Sequence, residues 1–212
     1  MCRRRAFRPA LAFHALTPLY DRAIDLLGFG APFIRRVADT LALEETESLL
    51  DVGCGTGTLL AELGRRQRSA ALAGIDADPR ILVRASQKLT SARVRATLVH
   101  AYAQHLPFSD GTFDAVVSTL IFHHLSTPLK HAALGEIHRV LKPGGRLLLA
   151  DFGKPQTVVQ WTLLSIGRLF DGIESTRANL QGRLPLMLSE AGFQVGEVGA
   201  RYRGVQFLRG GR

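Results

Sequence analysis

The chain has only two cysteines, Cys2 and Cys54, in 212 residues. That is too few for a disulfide framework, and they lack the paired spacing of a zinc site. A reducing cytoplasm is the compartment this usage fits. No run approaches the roughly 18 to 20 apolar residues needed to cross a bilayer, so a soluble chain is expected. The opening Met1-Cys2-Arg3-Arg4-Arg5 is basic, but Arg8, Pro9 and His14 cut short the apolar run behind it, which makes a poor signal sequence. Acidic residues are in the minority, 18 Asp and Glu against 27 Lys and Arg, for a formal net charge of +9. A basic surface attracts polyanions. Yet the arginines are scattered from end to end, only Arg3 to Arg5 form a run, and no aromatic residues interleave with them. A solvated basic surface and a polyanion-binding face both remain open. Internal repeats and low-complexity segments are missing as well. No histidine has a metal-ligand partner at useful spacing, so no metal is expected.

What is present is a composition 46% hydrophobic and 21% charged, enough for one domain with a proper core. Over Leu11 to Leu41, apolar residues recur at three- and four-residue steps and are interrupted at Gly28 to Pro32, which predicts a helical preface or lid over residues 1–45. From Glu47 onward, short apolar runs alternate with amphipathic stretches, the pattern of a βαβ series with a parallel sheet. Strands are expected near Ser48–Val52, Leu72–Asp76, Arg95–His100, Phe113–Thr119 and Arg146–Asp151, and helices near Thr58–Arg66, Pro79–Leu89, Leu129–Leu141 and Leu180–Ala191. Pro143-Gly144-Gly145 is expected to end a helix and turn into the next strand. The tail from Phe193 to Leu208 has room for two further strands.

The Gly-rich turn Asp51-Val52-Gly53-Cys54-Gly55-Thr56-Gly57 follows one strand and precedes a helix, the place where an open α/β sheet binds ligands. Glycine there lets a ligand approach the backbone, although a plain structural turn explains many such runs. Three details narrow it. The spacing is G-x-G-x-G, unlike the G-x-G-x-x-G of dinucleotide sites. Asp51 beside the turn would repel a pyrophosphate but complement an ammonium group, which disfavours a nicotinamide oxidoreductase. Asp76 ends the next strand about 20 residues on, where a carboxylate can accept both ribose hydroxyl protons.

These residues resemble the first two motifs of class I S-adenosylmethionine-dependent methyltransferases, with Leu49-Leu50 leading into the turn and Gly74-Ile75-Asp76-Ala77-Asp78-Pro79 as the second. Leu106-Pro107-Phe108 with Phe113-Asp114-Ala115-Val116-Val117, and Glu136 through Gly145, are similar to later motifs of the same family. The likeness covers about Leu49 to Phe152 and is nearest the small-molecule branch that includes ubiquinone and menaquinone biosynthesis enzymes. It implies a Rossmann-like, doubly wound α/β fold over residues 46–212, with a seven-stranded, mostly parallel sheet whose final strand is antiparallel. It implies S-adenosylmethionine as cofactor and S-adenosylhomocysteine as product. The Gly53 and Gly55 backbone would lie at the methionine moiety, Asp51 near its ammonium, Asp76 on the ribose, and Ala77 and Ala103 along the adenine. Cys54, Gly57 and Thr119 fall in the same pocket. The chain departs once: Tyr102 stands where the family usually has an Asp contacting the adenine amine. Tyr102 can stack on or hydrogen-bond the ring, or pack in the loop while backbone groups hold the adenine.

Methyl transfer from a sulfonium is in-line displacement with an activated leaving group, and a general base helps only where the acceptor must lose a proton. His123 and His124 follow the fourth strand and are candidates for that base, against a reading in which one lines the pocket and the other packs in the loop. The segment from about residue 152 to 183, with Val158, Trp161, Leu164 and Phe170, is more apolar than one buried helix face needs. It reads as core, as the surface of a homodimer, or as a lid over an apolar, lipid-like acceptor, with the basic charge drawing the chain to a membrane surface. Against a nucleic-acid substrate, the fourth strand runs into Thr119-Leu120-Ile121-Phe122 rather than an Asn/Asp-Pro-Pro-aromatic signature, so a small molecule is the expected acceptor. An RNA methyltransferase and a non-catalytic cofactor-binding relative are the alternatives.

Overall fold

A computed structural model describes residues 28–157, 160 and 173–212. The first part of the helical preface and the apolar heart of the insert, Trp161 included, lie outside the described residues. Helix α1 (Ala31–Leu41) leads into strand β1 (Ser48–Val52), helix α2 (Thr58–Arg66), β2 (Ala71–Asp76), α3 (Pro79–Ala92), β3 (Thr97–His100) and β4 (Phe113–Thr119). A 3₁₀ turn over Phe122–His124 precedes α4 (Thr127–Val140) and β5 (Leu141–Phe152). Helices α5 (Ile173–Leu180) and α6 (Leu184–Glu190) and strands β6 (Gln194–Glu197) and β7 (Val205–Gly211) complete the described chain.

The strands form a seven-stranded sheet in the order β3-β2-β1-β4-β5-β7-β6. The pairs from β3 to β5 are parallel, and β7 runs antiparallel to both β5 and β6. This is the architecture expected from the sequence. Strands β1 and β4 are nearly unbroken apolar runs because helices cover both of their faces. On one face Leu50, Val116, Leu147 and Leu149 pack under α4, α5 and α6. On the other, Leu49, Ala115, Leu148 and Phe207 pack under α1, α2 and α3, with Phe33 and Val37 of α1 wholly inside. The described part of the preface is therefore built into the core. Chain order reverses between β1 and β4, and in open α/β sheets the crevice beyond the carboxyl ends of such strands receives ligands.

Two expectations are corrected. The helix expected over Leu180–Ala191 starts only at Leu184, because Leu180 ends the preceding helix, Gly182 takes φ +69° and Pro185 fits the first turn of a new helix. Strand β5 starts at Leu141, five residues early: Leu141 pairs with Phe113 across an irregularity, and Pro143-Gly144-Gly145 is absorbed into the strand. Gly145 permits this, since a Cβ there would lie 2.8 Å from the Lys142 carbonyl oxygen and 3.0 Å from that of Asp114. Among the described residues no helix is long and apolar enough to cross a membrane.

Candidate functional site

The three glycines of the turn after β1 all have positive φ, +81° at Gly53, +53° at Gly55 and +74° at Gly57, but for different reasons. A Cβ on Gly53 would lie 2.4 Å from Cγ2 of Ile121, and one on Gly57 would lie 3.2 Å from the Ala85 Cβ of α3. These two let neighbouring elements close on the turn. Among the described residues, a Cβ on Gly55 would meet nothing within 4 Å, so the middle of the turn is open with respect to them. The N–H groups of Gly53 and Cys54 both donate to the Ile75 carbonyl at 2.9 Å and pin the turn to β2. The Cys54 side chain packs away from that opening: its Cβ and Sγ would stand 3.0 Å from a Cβ on Gly74. Burial, together with the charges of Asp51 and Asp76, pushes its thiol up, so it is no nucleophile. Lys88 of α3 donates to the hydroxyls of Thr56 and Thr58 at 2.8 and 2.7 Å, bracing the start of α2.

Asp51 is 1% exposed, and among the described residues its buried Oδ1 has no hydrogen-bond partner. Burial first, and then the charge of Asp76, push its carboxyl up to about 8. Asp76 is engaged: Oδ2 accepts the Gly55 N–H at 3.0 Å and Oδ1 the Asp78 N–H at 2.9 Å. Its pKa is raised by burial despite those bonds. An orphaned carboxylate oxygen next to an open glycine cradle fits a ligand that brings a cation. Each Asp76 oxygen keeps a lone pair for a hydroxyl.

Beyond β2 and β3, Ala103 is buried, Ala77 is partly covered, and the Ala77 carbonyl lies 3.1 Å from Nε2 of His100. Tyr102, 43% exposed, has its ring 6.1 Å from the His100 ring. The loop that follows is held by Glu136 and Arg139 of α4. Glu136 Oε2 accepts the Leu106 N–H at 2.8 Å, while Arg139 donates to the carbonyls of Leu106 and Phe108 at 3.0 and 2.7 Å and pairs with Asp110 at 2.8 Å.

At the end of β4, Ser118 donates to the Val52 carbonyl at 2.9 Å, Thr119 is partly exposed, and Leu120 adopts φ +54° as the chain turns into the histidines. His123 is buried, with Nδ1 2.9 Å from Oδ1 of Asp151, the penultimate residue of β5. The His124 ring lies 4.0 Å from that of His123. Asp151 is wholly buried and also accepts the N–H groups of Phe122 and Phe152, both at 2.7 Å, and the Asn179 amide of α5 at 3.0 Å. Burial would raise its carboxyl, but His123 foremost, then Lys130 and His124, hold it below the usual range. Asn179 Oδ1 and Gln206 Nε2, also buried, have no hydrogen-bond partner among the described residues. Asp151 went unread in the sequence, although it lies near the carboxyl end of an apolar strand much as Asp76 does. Elsewhere on the chain, His138 lies edge-on to Phe193 and His131 lies 3.8 Å from Glu190.

Residues 49–145 match the family model described as "Methyltransferase domain". The chain is 40% identical over 145 residues to a demethylmenaquinone methyltransferase of Thermus thermophilus, covering 68% of this chain and 65% of that protein. It is 33% identical over 206 residues to a demethylmenaquinone methyltransferase of Lactiplantibacillus plantarum, covering 86% of each. Among solved structures, a SAM-dependent methyltransferase from Aquifex aeolicus superposes with a TM-score of 0.72 at 22% identity, covering 93% of this chain and 97% of that one.

Proposed function

The chain belongs to the class I S-adenosylmethionine-dependent methyltransferases, and from that premise we propose that it methylates a small, apolar hydroxyaromatic acceptor whose hydroxyl proton passes to His123. The observation that carries this reading is the buried His123–Asp151 pair just past β4, whose chain runs directly on from the glycine-turn side of the sheet. A carboxylate that accepts the Nδ1 proton fixes the imidazole tautomer and leaves Nε2 as its basic nitrogen. Asp151 is itself fixed by two backbone N–H groups and Asn179, so the ring is oriented before substrate arrives.

For the cofactor, Asp51 Oδ1 takes the ammonium of the methionine moiety while the Gly53 and Gly55 backbone allows it to come close. Asp76 takes the ribose hydroxyls with the lone pairs that Gly55 and Asp78 leave over. Ala77, Ala103 and Tyr102 border the adenine, Cys54 and Gly57 shape the turn from behind, and Thr119 stands at the strand end nearest the histidines. Bound there, the cofactor would supply an activated methyl group for in-line transfer to the acceptor's oxygen, or to a ring carbon conjugated to it, with S-adenosylhomocysteine as the leaving group. The chain's part is alignment, exclusion of water and removal of one proton.

Relatives named for demethylmenaquinone support an acceptor of quinone type, and the apolar insert of residues 152–183 supports an apolar one. The net charge of +9 favours a second reading, methylation of RNA. One experiment separates them. Methyl-labelled S-adenosylmethionine is offered with quinols, phenols, lipids, tRNA and rRNA in parallel over a range of salt. Label in a hydroxyaromatic product supports the proposal; salt-sensitive label in RNA alone overturns it.

A further inference from the structure

Lys130 lies in the first turn of α4 and is 0% exposed. An ammonium there is doubly disfavoured, because burial strips its water and the start of a helix already carries partial positive charge. Its Nζ donates to two carbonyls from different elements, Leu125 and Ser175, each at 2.5 Å. Leu125 closes the turn that bears His123, and Ser175 belongs to α5, the helix whose Asn179 holds Asp151. Burial pushes the ammonium down to about 8, and the charge of Asp151 opposes that shift.

A buried carboxylate beside a histidine has an unwanted effect on a base: it stabilises the imidazolium and keeps the ring protonated near neutral pH. A cation in the same cluster opposes that second proton. Among the described residues, the charged groups acting on Asp151 include His123, Lys130 and His124. The side chains that α5 and β7 place beside it, Asn179 in hydrogen bond and Gln206 in register, are neutral, whereas Glu174 and Arg177 of α5 are exposed.

We propose that Lys130 is a positioning residue for the methyl transfer: it fastens the His123 turn to α5, and its positive charge opposes a second proton on the His123 imidazole. This rests on the role given to His123 above.

The test compares Lys130→Met and Lys130→Arg in the full chain with S-adenosylhomocysteine bound. Histidine ring resonances are followed by NMR through a pH titration, with His131 as internal reference. In K130M the His123 midpoint should rise by about half to one pH unit, the size expected for losing one charge across a cluster of this kind, and K130R should restore it. If K130M does not fold, Lys130→Gln removes the charge while keeping an amide donor and gives the same readout. A His123 midpoint that stays put while the melting temperature falls makes Lys130 a structural tie only and overturns the proposal. With an accepted substrate, the acid limb of kcat should move up with the His123 midpoint while the KM for S-adenosylmethionine holds. If the midpoint moves and the limb does not, His123 is not the base, and the functional reading fails together with the positioning role.

Discussion

Asp51 and Asp76 lie at the carboxyl ends of neighbouring parallel strands, and the charge of Asp76 adds to burial in pushing the Asp51 carboxyl up to about 8. Below that pH the carboxyl holds a proton that an arriving ammonium must displace. Affinity for S-adenosylhomocysteine should therefore climb with pH, by up to about tenfold per unit, and level off above about 8. Calorimetry in buffers of different ionisation enthalpy reads both the affinity and the proton released. Flat affinity with no proton release would contradict the assignment of Asp51.

The same carboxyl should weaken the cofactor-free fold. A group whose folded pKa lies above its unfolded value favours folding while protonated, and that contribution is lost as pH rises from the ordinary carboxylate range through about 8. Asp51→Asn should thus melt at a higher temperature than wild type near pH 8 without ligand. It should also lose most of the shift that S-adenosylhomocysteine gives the wild type. Thermal unfolding with and without ligand checks both halves.

Gly55 and Gly57 share a backbone region but not a task. Gly55→Ala meets no atom of the described residues within 4 Å, so its penalty is that of the left-handed backbone, about 1 to 2 kcal/mol, while its methyl group fills the cradle. Gly57→Ala adds contact at 3.2 Å with Ala85. The larger fall in melting temperature is expected from G57A and the larger fall in ligand affinity from G55A. Equal losses of affinity in both would mean that the open face of the turn is not where the ligand lies.

Arg139 and Glu136 hold the loop from Leu106 to Asp110 by its carbonyls and one N–H, and that loop continues from Tyr102 and Ala103. Arg139→Met should raise the KM for S-adenosylmethionine by about tenfold, the weight of one or two charge-assisted hydrogen bonds, with kcat little changed. Steady-state kinetics at fixed acceptor concentration separates the two parameters. A fall in kcat alone would move the pair's influence from cofactor to chemistry.

The sequence was most legible where the signal was local. Strands β1 and β4 were read to the residue because apolar runs bounded by turn residues have few other folds open to them. Asp51 and Asp76 stood out because each lies at the carboxyl end of a strand beside a turn with special backbone demands. The start of β5 was hidden because Pro143 and the glycines signal a break, and only the distant pairing of Leu141 with Phe113 overrides it. Asp151 and Lys130 were hidden for the same kind of reason: their partners lie 28 and 45 residues away, at His123 and Ser175, and nothing in the spacing joins them. A lysine in the first turn of a helix reads as a solvated group until the packing of α5 encloses it.

The central claim is that His123 takes the acceptor's proton, and the most direct test is His123→Gln assayed on a quinol or phenol that the wild type methylates. A fall in kcat of about 10²- to 10⁴-fold is predicted, the usual contribution of a general base, with affinity for S-adenosylhomocysteine within about twofold of wild type. Full activity in H123Q, or label from S-adenosylmethionine that reaches RNA and no hydroxyaromatic compound, would contradict it.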